Sequence, residues 1–200
     1  MKSYFEPSEL IINSDGSVFH LHVKPEQLAD KVILVGDPGR VPVVANFFDE
    51  KECDIESREF RTITGRFQNK RITVVSTGIG CDNIDIVLNE LDALANIDFE
   101  TRTVKPQLRQ LELVRIGTCG GLQPNTPEGT FVASVKSIGF DGLLNFYAGR
   151  NEVCDLAMEK AFVQHMGWQG AQCIAHPYII DADKELIERV ASDDMVRGVT

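Results

Sequence analysis

The 200-residue chain has the size of one domain, and its 43% hydrophobic and 25% charged residues are the ordinary balance of a globular fold. A formal net charge of −10 argues against a nucleic-acid partner, because no basic stripe offsets it. No apolar run reaches the length of a membrane span, and the start, MKSYFEPSELIINSDG, is too polar and acidic for a signal or transit peptide, so a cytoplasmic protein without a membrane partner is expected.

In chain order, residues 1–30 read as an irregular arm and a short polar helix, with VFHLHV (18–23) as a candidate strand. KVILVG (31–36) is a strand, Pro38 starts a turn, and VPVVANFF (41–48) is a short helix. An extended stretch around 57–67, a turn at 68–70 and a strand at 71–76 suit a hairpin, which sets antiparallel strands beside parallel ones. Ile84, Val87, Leu88, Leu91, Leu94 and Ala95 recur at helical spacing. Residues 98–112, with Pro106, read as a polar loop, 113–117 as a buried strand and 128–139 as a further strand. Helical patterns follow at 154–166 and 184–191, and MVRGVT opens like a strand. The expectation is an α/β single domain over 1–200, a mixed sheet flanked by helices, cut within the domain at its C-terminal end.

Five cysteines without CxxC spacing favour neither a zinc site nor a disulfide framework, and reduced thiols are the simplest account. Cys119, in a glycine turn, has the place of a nucleophile, but a buried structural cysteine is the more ordinary reading. His165 and His176 form no metal-ligand pattern with His20 and His22.

Three strand-like runs end in polar, glycine-bearing turns: VGDPGR (35–40), STGIG (76–80) and RIGTCGG (115–121). Ligands of open α/β sheets collect outside the carboxyl ends of the strands, so three such exits suggest one pocket. The helix opening after Gly80 would point its first N–H groups at the same place. Arginines at two of the exits make phosphate the first ligand to consider. Gly78-x-Gly80-x-x-Asn83 lacks the third glycine of a dinucleotide fingerprint, and any one glycine can serve backbone geometry alone. Arg115, inside an apolar strand, requires either a carboxylate partner or a bound anion. Arg58 in SREF reads by itself as a solvated arginine, and spacing alone assigns no function to His20 or His22.

Taken together, FHL (19–21), VGDPGR (35–40), SREF (57–60), STGIG (76–80) and VRIGTCGGLQP (114–124), with a weaker FDG at 140–142, resemble the nucleoside phosphorylase superfamily of the purine and uridine type. The resemblance is closest to its uridine phosphorylase branch, as SREF followed by STGIG and Thr118 in place of serine both indicate. It implies a twisted mixed sheet flanked by helices and reversible phosphorolysis of a nucleoside to free base and ribose 1-phosphate. Inorganic phosphate would be the co-substrate, and neither a cofactor nor a catalytic metal would be needed.

By the same resemblance, Gly36 offers its backbone N–H to phosphate, Arg40 and Arg115 clamp it, and Thr118 bonds phosphate and sugar. Arg58 would complete the phosphate site of a neighbouring subunit, and His20 would reach across to the ribose 5′-hydroxyl. The catalytic residues would then be Arg115 and Arg58, in a homodimer or a hexamer built of dimers with shared sites. Some members bind a monovalent cation near the glutamate of this REF motif, here Glu59, while Asn83 stands where relatives carry a small hydroxyl residue. The family's base-recognition segment falls beyond residue 200. The rivals are a nucleosidase of the same fold using water, a purine nucleoside phosphorylase, and a non-catalytic anion- or nucleotide-binding module.

Overall fold

The computed structural model describes residues 4–168, 176–192 and 196–199. They fall into two compact units, Met1–Thr118 and Cys119–Thr200.

The first unit is built on a five-stranded mixed sheet. Its strands are β1 (Lys31–Val35), β2 (Glu50–Ser57), β3 (Phe60–Phe67), β4 (Lys70–Ser76) and, after two short strands, β7 (Glu112–Ile116), in the order β2-β3-β4-β1-β7. β1 runs parallel to β4 on one side and β7 on the other, while β2, β3 and β4 form an antiparallel meander. The expected 68–70 turn closes the β3–β4 hairpin: Gln68 and Asn69 both take positive φ (47° and 63°), the handedness that matches strand twist in a two-residue turn.

Alternation along the strands supplies two apolar faces. Val32, Leu34, Phe60 and Val75 face one way, and α2 (Cys81–Asn96) covers them with Val87, Leu91, Leu94 and Ala95, the stripe of an amphipathic helix. Val35, Ile63 and Val74 face the other way, where α1 (Arg40–Ala45) packs Val41 and Ala45. The arm is tied to the sheet by a buried relay: the Thr64 hydroxyl contacts Thr73 Oγ1 (2.8 Å) and the Gln27 carbonyl (2.7 Å), and Ala29 N–H donates to Thr73 Oγ1 (2.9 Å).

VFHLHV is not a strand. Val18 makes an isolated bridge with Ile12, and the chain then turns, with His22 at φ 54° and its N–H donating to the Val18 carbonyl (3.1 Å). The N–H groups of His20 and Leu21 go to the carboxylate of Glu90, on α2, so no strand partner is needed to satisfy them. β2 was not expected over most of its length, because KECDIES has too many charges for a core strand; it is a sheet edge, where charges guard against further pairing. Residues 98–112 carry β5 (Ile97–Asp98) paired with β6 (Thr103–Val104), and then a segment fastened by Arg109, which bonds Asp30 and the Leu28 carbonyl.

In the second unit, the expected strand 128–139 breaks at Val135. β8 (Phe131–Ser134) pairs in parallel with β11 (Val196–Val199), and β9 (Lys136–Gly139) pairs antiparallel with β10 (Tyr178–Asp181). The helices α3 (Arg150–Val153), α4 (Leu156–His165) and α5 (Lys184–Val190) lie between them in sequence, α4 and α5 capped by Asp155 and Asp183. Lys136 bonds both Asp155 and Asp181, which holds the Asp155 carboxyl below the usual carboxylate range. A mostly enclosed ion pair, Arg150–Glu159 (2.8 Å), joins α3 to α4. Among the described residues, no helix is long and apolar enough to cross a membrane.

Gly65 marks the tightest passage of the sheet. A Cβ there would meet the Glu50 carbonyl oxygen and lie 2.5 Å from Phe48 Cδ2, beside the register shift between Lys51 and Cys53. Gly65→Ala is therefore expected to destabilise the fold by about 1–3 kcal/mol, as overpacking does. Urea unfolding measures it, and a loss below about 0.5 kcal/mol would contradict this packing.

Candidate anion site at the carboxyl end of the sheet

Because β1 is parallel to both neighbours, its exit and theirs fall on one edge of the sheet. The register makes them level: Val35 pairs with Ser76 on one side and Ile116 on the other. Gly36, Thr77 and Gly117 therefore leave their strands side by side. Thr77 is buried, and its N–H donates to the Val35 carbonyl (2.7 Å), which extends the β1–β4 ladder by one residue. Gly78 then turns with φ 63° and Gly80 with φ 95°, backbone that favours glycine, and α2 begins at once. Asn83 folds over this turn, its amide donating to the Ile79 carbonyl (3.1 Å), with Glu59 also beside Gly78.

The exit of β1 is shaped by Asp37, whose carboxylate accepts from Gly39 N–H (2.8 Å) while its carbonyl accepts from Arg40 N–H (3.0 Å). This turn launches α1 and puts Arg40 at its first position. The Arg40 guanidinium comes back over Gly36: its Nη2 lies 3.7 Å from where a Gly36 Cβ would sit. Arg115 Nη2 lies 3.7 Å from the same point, and the Gly78 carbonyl 3.9 Å. Gly36, Arg40 and Arg115 are thus brought together, with the three expected exits around them.

Arg115 is not buried, as its apolar neighbours had suggested. Among the described residues β7 pairs with β1 alone and forms an edge of this sheet, and Arg115 is exposed. Its side chain curls over Gly117, whose missing Cβ would stand 2.6 Å from Nη1. That glycine makes room for the guanidinium. Thr118 follows, exposed, its hydroxyl without a protein hydrogen bond among the described residues.

The pairing of charges in the first unit separates these arginines from the rest. Arg61 pairs with Asp54 through two bonds (2.8 and 3.0 Å), which keeps the Asp54 carboxyl below the usual range. Arg66 and Arg71 pair with Glu52, Arg109 with Asp30, and Arg102 donates to the Leu10 carbonyl. Among the described residues, Arg40, Arg58 and Arg115 form neither salt bridge nor hydrogen bond through their guanidinium groups. In an acidic chain that is a costly arrangement. Arg40 and Arg115 each bring a nitrogen to 3.7 Å from one point, so two like charges face each other there, and an anion between them reverses the sign of the interaction. Among the described residues, the salt-bridge account of Arg115 has no carboxylate to rest on.

Arg58 and His20 lie together elsewhere in this unit. Arg58 occupies the two-residue turn between β2 and β3 at φ 56°, a conformation that costs a non-glycine residue about 1–3 kcal/mol. Its Cζ stands 5.0 Å over the Phe19 ring, and Phe19 meets the His20 ring edge-on at 4.9 Å. His20 Nδ1 contacts Glu90 Oε1 at 2.7 Å. Phe19 and Glu90 were not singled out from the sequence. Glu90 had a signal, since it interrupts the apolar stripe of α2 at a position that helical spacing buries.

Cys119 is an exposed free thiol, and no base bonds it among the described residues. Nor do those residues include a group of three or more His, Cys, Asp or Glu that could hold a metal ion.

Gly117→Ala tests the fit between glycine and guanidinium. The backbone there is not in the left-handed region, and the atom displaced is the end of a flexible side chain. Stability is expected to stay within about 0.5 kcal/mol, while phosphate affinity, read by calorimetry, falls about tenfold or more as Arg115 is pushed aside. Unchanged phosphate affinity would contradict the site.

Comparison with known proteins agrees with this geometry. The family model described as Phosphorylase superfamily matches residues 30–200. Uridine phosphorylase of Thermococcus kodakarensis is 30% identical over 167 residues, 82% of this chain and 55% of that protein. A DeoD-type purine nucleoside phosphorylase of a Thermoanaerobacter species is 34% identical over 119 residues, 59% of this chain and 46% of that protein. A crystal structure of a Trypanosoma brucei nucleoside phosphorylase, described as showing uridine phosphorylase activity, superposes with a TM-score of 0.80 at 28% identity, covering 95% of this chain and 66% of that one. The chain spans about half the length of the curated relatives it matches. With its mixed sheet, its three level strand exits and a match over most of its length, the chain belongs to the phosphorylase superfamily.

Proposed function

We propose that this chain performs phosphorolysis of a pyrimidine nucleoside, uridine, yielding uracil and ribose 1-phosphate, with inorganic phosphate as co-substrate and no cofactor. The observation that carries the reading is the approach of two unpaired guanidinium groups, Arg40 and Arg115, to the same glycine at the carboxyl edge of the sheet. Phosphate is the anion that such a pair fits, as arginine forks match its oxygens in bidentate fashion.

In this reading Gly36 N–H, Arg40, Arg115 and Thr118 hold the phosphate, and Thr118 also bonds the sugar. Arg58 completes the phosphate site of a partner subunit, and His20 of the same subunit reaches the partner's ribose 5′-hydroxyl. The C1′–N1 bond breaks and its electron pair leaves with the base, a phosphate oxygen bonds C1′ from the opposite face, and the proton released by hydrogen phosphate ends, by way of solvent, on the departing uracil. Positive charge develops on the sugar ring, next to an anion already in place. The chain's task is to position the reactants and hold that charge, and no side-chain nucleophile takes part.

Residues 1–200 then belong to one phosphorylase domain of a cytoplasmic homodimer, or of a hexamer built of dimers. A water-using nucleosidase has no need of the arginine pair. The DeoD-type relatives favour a purine nucleoside as the second substrate to be tried.

The experiment is turnover of uridine and inosine, with and without phosphate. Uridine is expected to be consumed only with phosphate, releasing ribose 1-phosphate; equal turnover without phosphate would replace the reading by the nucleosidase, and faster inosine turnover by the purine enzyme. Arg115→Ala is expected to lower kcat/KM about a hundredfold, the loss of one transition-state charge partner. A shared site adds a second test. When inactive Arg58→Ala and Arg115→Ala subunits exchange, a mixed dimer has one pocket with both defects and one with neither, so part of the activity should return. No recovery after exchange verified by mass would place Arg58 in its own chain's site or outside catalysis.

A further inference from the structure

Glu90 is only 8% exposed, yet its carboxylate is fully engaged by one short segment of chain. Oε1 accepts from His20 N–H (2.9 Å) and meets His20 Nδ1 at 2.7 Å, while Oε2 accepts from Leu21 N–H (2.8 Å). A carboxylate enclosed at this depth is tolerated because donors surround it. Those donors come from residues 69 and 70 positions away in sequence, at the tight turn closed by the Val18 N–H bond to the Val23 carbonyl (3.0 Å).

The consequence for His20 is chemical. An ionised carboxylate only accepts, so the ring nitrogen facing it must carry a proton. In the neutral ring that leaves Nε2 bare, as a hydrogen-bond acceptor. The ring is also steadied by Phe19, which lies edge-on to it and under the Arg58 guanidinium. The side chain of His20 is 30% exposed, and among the described residues its Nδ1 is held by Glu90 while no hydrogen bond is made at Nε2.

We propose that Glu90 is a positioning residue, which fixes the Nδ1–H tautomer and orientation of His20 so that Nε2 accepts a hydrogen bond from the sugar 5′-hydroxyl. This rests on the proposed contact of His20 with that hydroxyl, and it adds a specificity device. Nucleosides with a 5′-hydroxyl donor are preferred over 5′-deoxy analogues because the ring is locked as an acceptor. Unlocking it erases the preference without touching the phosphate site.

Two measurements on the full chain test it. Ring ¹⁵N–¹H correlation spectra, with His20 assigned by comparison with His20→Ala, should show the neutral His20 ring protonated on Nδ1. A ring protonated on Nε2 would overturn the proposal, whatever the activity. Glu90→Gln keeps the size of the side chain but brings an NH2 group against ring or backbone N–H donors. The ratio of kcat/KM for uridine to that for 5′-deoxyuridine is expected to fall about tenfold in this variant. A structural role alone would lower both substrates together and leave the ratio intact, and that result would overturn the proposal. If the protein cleaves no nucleoside, the phosphorolysis reading fails, and the spectra then decide the part of Glu90 alone: Nδ1–H upholds it, Nε2–H overturns it.

Discussion

The repulsion between the Arg40 and Arg115 guanidinium groups is the term around which the first unit is arranged. Nothing in the hydrophobic core requires two cations over Gly36, and a folded acidic chain has carboxylates enough to neutralise both. It spends those carboxylates elsewhere: Asp54 on Arg61, Glu52 on Arg66 and Arg71, Asp30 on Arg109. The unpaired charges are left at one edge, where three strands end level and glycines keep the space clear. An anion bound between them would relieve that repulsion.

The fold supplies the geometry by parallel pairing. β1 lies between β4 and β7 with Val35 level with Ser76 and Ile116, so a polar turn after any of these strands meets the other two. α1 and α2 cover opposite faces of the sheet and start from two of these exits, which fixes the turns from both sides. Arg58 and His20 depend on a different device. Arg58 is held at a strained turn over Phe19, and His20 is held by Glu90 from inside α2. The two groups are separately supported.

Much of this was legible in the sequence because its causes are local. Apolar alternation, the 3.6-residue stripe of α2, and glycines placed directly after strands read out β1, β4, α2 and the three exits. The misreadings share a non-local cause. LVRI looks buried by composition, but β7 is a sheet edge, and that leaves Arg115 exposed. VFHLHV has the alternation of a strand, but Glu90 takes its N–H groups. Residues 128–139 read as one strand, but two different partner strands divide them at Val135. The likeness to nucleoside phosphorylases rested chiefly on short motifs, three at the exits and two, FHL and SREF, around His20 and Arg58.

The central claim is that Arg40 and Arg115 act on one anion. A double-mutant cycle on phosphate affinity, measured calorimetrically for the unaltered protein, Arg40→Ala, Arg115→Ala and the double variant, tests it most directly. The account predicts that each single change weakens binding and that the two are coupled by about 0.5–3 kcal/mol, as for groups sharing a partner. Losses that simply add, or phosphate affinity indifferent to either arginine, would contradict it.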